Sequence, residues 1–419
     1  MSAFAPLRHV AFRYLLAGRT VTALGNAVAP VALAFAVLDL TGSASDLGLV
    51  VGARVLANVL FLLFGGALAD RLPKHLLMVG SSAAAAVTQG AVAALVLTGT
   101  ATVPLLIALS AVNGMVSALA MPASSAILPQ LIPADLRQQA NGLNRMVFNG
   151  AFIVGAPLGG VLVATVGPGW GIGIDAIAFL IGGLCFAALR IPGAAQGEES
   201  GRSGIVADLR AGWTEFRSRT WLWVIVAAFG LINACLSGGL GVLGPLVADA
   251  SVGRRAWGFV LAAETAGMVL GAFIAMRIKV RRLLFVGVLC TSFLALPLLT
   301  LGLAPHLGLL MGATFVTGLA IEQFVVAWET TMQEHVPADM LARVYSYDMV
   351  GSFIAIPIGQ VVAGPIAEAV GVEPTLVGAA GLIALAVLGM LSSRDVRNLS
   401  HRPPERGRTA PEPMEELPA

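Results

Sequence analysis

The sequence predicts an all-α membrane protein of twelve transmembrane helices, arranged as two pseudo-symmetric six-helix halves. Three observations predict it. Of 419 residues, 57% are apolar and only 11% charged, against roughly 25% charged in a soluble domain. Apolar stretches recur along the chain at the length a bilayer demands, for a mean hydropathy of +0.87. Basic residues fall almost wholly on one side of those stretches. A water-soluble multidomain enzyme is excluded, and Gly and Pro without a triplet period exclude a fibrous chain.

A helix rises about 1.5 Å per residue, so a hydrocarbon core takes about 20 apolar residues to cross. The first stretch, from Leu15 to Leu38, outruns the roughly 7–15 residues of a signal core and lacks a small-residue cleavage site, so it reads as a span. No residue between Leu76 and Ala134 is charged. As one helix that segment would reach about 90 Å, so it must fold back. The break is Gly99-Thr100-Ala101-Thr102-Val103-Pro104. The same reasoning places spans near 11–38, 46–69, 75–98, 103–127, 141–165 and 169–190 in a first half, residues 1–190. It places 220–248, 254–276, 282–303, 305–328, 342–368 and 373–391 in a second half, residues 220–391. The polar interval 191–219 reads as a cytoplasmic linker, with Ile205, Leu209, Trp213 and Phe216 at the spacing of an amphipathic surface helix. Residues 392–419, rich in Pro, read as a disordered cytoplasmic tail.

Charge tests the count. Of 25 Lys and Arg, 21 lie in the tails, in the links after spans 2, 4, 6, 8 and 10, or at helix ends facing them. An even number of spans puts both ends on one side, and the positive-inside rule makes that side the cytoplasm, with the chain in the plasma membrane. The chain also repeats itself. Ile132-Pro133-Ala134-Asp135 matches Val336-Pro337-Ala338-Asp339 at an offset of 204, which also aligns Gly155 with Gly359, Gly160 with Gly364, and Val166-Gly167 with Val370-Gly371. Duplicated six-helix halves place a cavity between them near the midplane, the architecture of alternating access.

After span 2 comes Gly66-Ala67-Leu68-Ala69-Asp70-Arg71-Leu72-Pro73-Lys74-His75. This resembles the signature loop of the major facilitator superfamily, G-x-L-a-D-r-x-G-r-k, departing from it at Pro73 and His75. Leu38-Asp39-Leu40-Thr41-Gly42-Ser43, the segment Pro122-Ala123 to Pro133, and Asp208-Leu209 to Gly212 are similar to one branch of that family, the drug and siderophore exporters that include macrolide-efflux and enterobactin-exporter proteins. Gly155-Ala156-Pro157-Leu158-Gly159-Gly160 approximates the G-P-x-x-G-G antiporter motif with its Pro displaced by one. The resemblance implies a cytoplasmic gate built on Gly66, Asp70, Arg71 and Lys74, with Asp70 latched to the start of span 11 near Leu341–Val344. A carboxylate at a helix N-terminus is favoured by up to about 2 kcal/mol when partly buried. The plainer alternative is that Asp70 and Arg71 mark topology only.

Polar groups inside apolar spans are the remaining site candidates, because each charge at the bilayer centre costs about 2.5–3.5 kcal/mol. Span 1 carries Arg19, Thr22 and Asn26 on one stripe, and span 2 carries Arg54 and Asn58. Asn113, Asn149 and Asn233 lie near mid-span, Asp175 toward the outer end of span 6, Glu264 in the middle of span 8, and Glu322 and Glu329 on one face of span 10. Arg54 reads as paired with Asp39 or Asp46, Glu329 as a helix-end ion pair, and the asparagines equally as interhelical glue worth about 0.6 kcal/mol each. Glu264 stands apart: a lone midplane carboxylate is costly to keep charged, so it can load and release a proton. The expected substrate and proton pathway is Arg19, Asn26, Asn113, Asn233, Glu264 and Glu322.

Several chemistries lack their residues. No histidine spacing suits zinc, and Cys185, Cys235 and Cys290 are isolated packing residues. Gly239-Leu240-Gly241-Val242-Leu243-Gly244 matches a dinucleotide fingerprint inside an apolar span with no preceding strand, so its glycines read as packing, like Gly48/Gly52, Gly267/Gly271 and Gly308/Gly312. No Walker loop is present, so ATP is not the direct driver. The expectation is a monomeric secondary exporter of small amphipathic or hydrophobic molecules by proton antiport, with no cofactor, metal, catalytic residue or nucleic-acid partner. The alternatives are a nutrient importer on the same fold and, from another class, a membrane sensor.

Overall fold

The computed structural model describes residues 5–71, 73–133, 136–189, 213–277, 280–337 and 340–400. Among the described residues no strand forms, and twelve helices are long and apolar enough to cross a membrane. The first half contains α1 (Val10–Thr41), α2 (Ala44–Arg71), α3 (Lys74–Leu97), α4 (Val103–Leu131), α5 (Arg137–Val166) and α6 (Pro168–Ala187). In the second half α7 runs Thr220–Gly238, passes through a π-helical stretch at Gly239–Leu243, and ends as Gly244–Ala250. There follow α8 (Arg254–Ala275), α9 (Leu283–Cys290, a 3-10 stretch Thr291–Ala295, then Leu296–Leu303) and α10 (Leu307–His335). Helix α11 comes in two pieces, Leu341–Phe353 and Ala355–Val370, before α12 (Val372–Ser392). Both described chain ends lie on one face, called the terminal face below; the opposite one is the far face.

Local chemistry explains the irregular helices. Pro297 in α9 has no N–H and its ring crowds the carbonyl four residues back, on Phe293. That carbonyl instead accepts a hydrogen bond from Thr317 Oγ1 at 3.0 Å, so the 3-10 break leaves it satisfied. The sequence places the end of α10 near 328; the helix continues to His335 because Thr331 and Met332 are buried in its last turns. Order also runs past 392, where the sequence predicts a tail: Arg394–Asn398 forms a five-residue helix at the terminal face, α13, anchored by fully buried Val396. Of the linker helix, Ile205 and Leu209 lie outside the described residues. Residues 213–218 are helical, and Phe216 is buried with its ring 5.8 Å from Tyr347 of α11, so this apolar face seats on protein.

The offset-204 glycines do the same work in each half. A Cβ on Gly155 would lie 2.6 Å from Ala27 of α1, and one on Gly359 would strike the Ala234 carbonyl of α7; each lets the fifth helix of its half touch the first. Gly160 faces the Arg254 and Arg255 carbonyls of α8, and Gly364 faces the Ser45 backbone of α2; each reaches across to the second helix of the opposite half. Gly167 and Gly371 follow with φ of 93° and 98°, a left-handed region that a Cβ disfavours, and both turn the chain into the sixth helix. Not every expected close approach occurs: Gly48, Gly52, Gly267 and Gly271 each meet a neighbouring helix, but a Cβ on Gly308 or Gly312 would meet nothing within 4 Å.

Candidate functional site

Span 1 places Arg19, Thr22 and Asn26 three and four residues apart, and the folded helix aims all three into one cavity of about 580 Å³ inside the first half. Arg19 is held there by two other helices. Its Nη1 donates to Asn144 Oδ1 of α5 at 2.8 Å, and its Nη2 donates to Ser124 Oγ of α4 at 2.9 Å and to the Ser124 carbonyl. Asn26 Nδ2 donates to the Thr22 carbonyl at 3.0 Å, within its own helix. Phe148, Phe179 and Phe186 supply apolar wall, and Arg54 lines the cavity too. Asn144 and Ser124 are absent from the sequence expectation. Neither stands out in a polar helix end until α1 is seen to cross them.

Behind the cavity is a buried polar cluster. Asp175 of α6 is fully buried, accepts a hydrogen bond from Gln89 Nε2 of α3 at 2.5 Å, and packs its other oxygen against Gly25. It is the charged group whose field reaches Arg54. The expected pairing of Arg54 with Asp39 or Asp46 is therefore corrected. Asp39 sits at the far end of α1, where Arg254 Nη1 donates to it at 2.9 Å and Arg254 Nε donates to Asp249 at 2.7 Å. Asn113, expected on the cavity wall, is 2% exposed and donates to Thr88 Oγ1 at 3.2 Å between α4 and α3.

The second-half candidates do not join this cavity. Asn233 Nδ2 donates to the Ser352 carbonyl of α11 at 2.8 Å. Glu264 is half-buried, with its carbonyl against Gly318 of α10, and its carboxylate has no hydrogen bond or ion pair among the described residues. Glu322 is buried beside Gly271 of α8, and the charged groups whose fields reach it are Arg145 of α5 and Glu329. Arg145 is exposed on the first half and was missed from sequence because it counts as a helix-end charge. Where the first half has a cavity, the second has aromatic packing: Phe229 and Phe324 stack at 4.1 Å, and Trp328 follows at 6.0 Å. The side chains of Asp70, Arg71 and Lys74, and with Gly66 the expected gate contact, lie outside the described residues.

The halves meet toward the far face. Gly160 and Gly258 join α5 to α8, and Gly48, Gly52 and Gly364 join α2 to α11. Arg254 to Asp39, and Ser43 and Ser45 to Glu368, add polar links at the same end. Gly155 and Gly159 of the span-5 motif pack on α1, and Pro157 faces Gly258, so that motif serves both interfaces. The contact stripes continue toward the terminal face but part there. On α11, Phe353 and Val350 are 44% and 43% exposed; on α5, Met146 is 68% exposed and Gly142 has nothing within 4 Å. Two bundles closed at one end and splayed at the other can rock about a central axis.

The family model described as Major Facilitator Superfamily matches residues 15–359. The chain belongs to that superfamily. As a major facilitator it is a multi-pass membrane transporter. It is 27% identical over 400 residues to the "Multidrug efflux pump Tap" of Mycolicibacterium fortuitum, covering 92% of this chain and 95% of that one. It is 21% identical to "Macrolide efflux protein A" of Streptococcus pyogenes, covering 86% and 90%. Among solved structures it is similar to the nucleoside transporter NupG, with a TM-score of 0.73 at 14% identity, covering 91% of this chain and 98% of that one. A bacterial homologue of the human lysosomal transporter Spinster, inward-facing and unoccupied, gives 0.71 at 16% identity, covering 94% and 98%. At those identities the two structures establish the shared fold.

Proposed function

We propose that this major facilitator is a secondary active exporter, expelling small amphipathic or hydrophobic molecules across the plasma membrane by proton antiport. The observation that carries the reading is the one-sided closure: glycine contacts join the halves at the far face, while the same stripes stand apart on the terminal face beside a polar cavity. The distribution of Lys and Arg puts both termini in the cytoplasm, which makes this conformation the inward-facing one of an alternating-access cycle. Efflux is favoured over import by two relatives whose names carry multidrug and macrolide efflux. Moving one charge through 100 mV is worth about 2.3 kcal/mol, nearly two decades of gradient, so one proton suffices. The protein works as a monomer in the bilayer, with substrate and protons as its partners.

Accumulation of fluorescent and antibiotic compounds in cells, with and without an uncoupler, tests this. Uncoupler-sensitive efflux is the expected result. Uncoupler-sensitive uptake would make the protein an importer and overturn the reading.

A further inference from the structure

The cavity of the first half has a one-sided charge. Among the described residues, Arg19 and Arg54 line it and no Asp or Glu does. Asp175, fully buried, does not line the cavity. Arg19 has no acidic partner among the described residues; its three hydrogen bonds go to neutral oxygens of Asn144 and Ser124. A guanidinium carries five N–H donors. The Arg19 Nε is buried and has no hydrogen-bond partner among the described residues. A part-buried cation with no counter-charge is favoured by an anion that enters beside it. Asn144 and Ser124 fix its plane, so the guanidinium is pre-organised as an anchor and cannot swing away to water. Phe148, Phe179 and Phe186 line the same cavity, giving an apolar surface beside the charge.

We infer that the Arg19 cavity is a binding site for amphipathic organic anions: a carboxylate, sulfonate or phosphate on Arg19, with the ring or chain against the phenylalanines. The inference rests on the export reading and narrows its substrate class. Cations are disfavoured by two arginines and nothing acidic on the wall, and a neutral molecule leaves the charge unmet. The carboxylates of the second half belong to other surroundings: Glu322 lies by Gly271 under the field of Arg145, and Glu264 by Gly318.

The test uses the purified full-length protein and two dyes on one three-ring skeleton, fluorescein, an anion, and rhodamine 123, a cation whose carboxyl is esterified. Binding is read by fluorescence anisotropy. Fluorescein is expected to bind about tenfold or more tightly than rhodamine 123, with Arg19→Gln removing the preference and Arg19→Lys retaining part of it. Equal or tighter binding of rhodamine 123, or no binding of fluorescein, overturns the inference, and both are read on the wild type whether or not the variants fold. Unchanged fluorescein binding in a folded Arg19→Gln protein overturns it too. Transport of the same dyes into inverted vesicles reports separately on export: fluorescein bound but never moved leaves the anion site standing and counts against the exporter.

Discussion

Asp175 is fully buried; Gln89 donates to one of its oxygens and the other packs against Gly25. Removing the acceptor leaves the buried Gln89 donor unsatisfied, at a cost of about 1–3 kcal/mol. Asp175→Ala should therefore lower the melting temperature in detergent by far more than Asp175→Asn, whose amide oxygen still accepts from Gln89. Equal losses in the two would show that the cluster contributes volume and not polarity. Glu264 is the opposite case, a carboxylate with no hydrogen-bond or ion-pair partner among the described residues. A carboxylate held by no donor or cation can exchange its proton as the conformation changes. Glu264→Gln should abolish the pH dependence of efflux while leaving the protein folded; an unaltered pH profile clears it of coupling.

Between helices, glycine decides who can touch whom. A Cβ on Gly364 would strike the Ser45 backbone of α2, and backbone cannot yield as a flexible side chain does. Gly364→Val should hold the far face open, slowing transport about tenfold or more and making a cysteine at Ser45 reactive to a membrane-impermeant thiol reagent. Gly308→Ala is the control at the same residue type. Nothing lies within 4 Å of that position, so the variant should transport normally and be more stable by up to about 1 kcal/mol, the helix propensity of Ala over Gly. Loss of transport in both variants would mean that helix flexibility, and not close approach, is what glycine supplies here.

Across the whole molecule, the two halves share a plan and differ in filling. Gly155 and Gly359 pack the fifth helix on the first in each half, and Gly160 and Gly364 close each half on the other. Yet the first half encloses a polar cavity between α1, α4 and α5, and the second stacks Phe229, Phe324 and Trp328 between α7 and α10. Symmetric interfaces allow rocking, and the proposed substrate cavity belongs to the first half. The end of α2 that carries Asp70 should act on this equilibrium. Asp70→Asn is expected to slow transport without reducing expression, and wild-type turnover in that variant removes the latch implied by the family motif.

The spans, their number and the repeat were legible in the sequence because membrane crossing is a local property. About 20 consecutive apolar residues are needed wherever the helix ends up, and a duplicated glycine keeps its spacing in the chain. Arg19 and Asn26 were found by the same logic, being polar on one stripe of one helix. Partners were not legible. From the chain Arg54 reads as paired with Asp39 or Asp46, but the folded end of α1 turns Asp39 to Arg254. Asn113 looked like cavity wall and is packed against Thr88. Which face of a helix meets which neighbour depends on rotation and tilt, and those are set by packing contacts more than a hundred residues apart, such as Arg19 with Ser124 and Asn144.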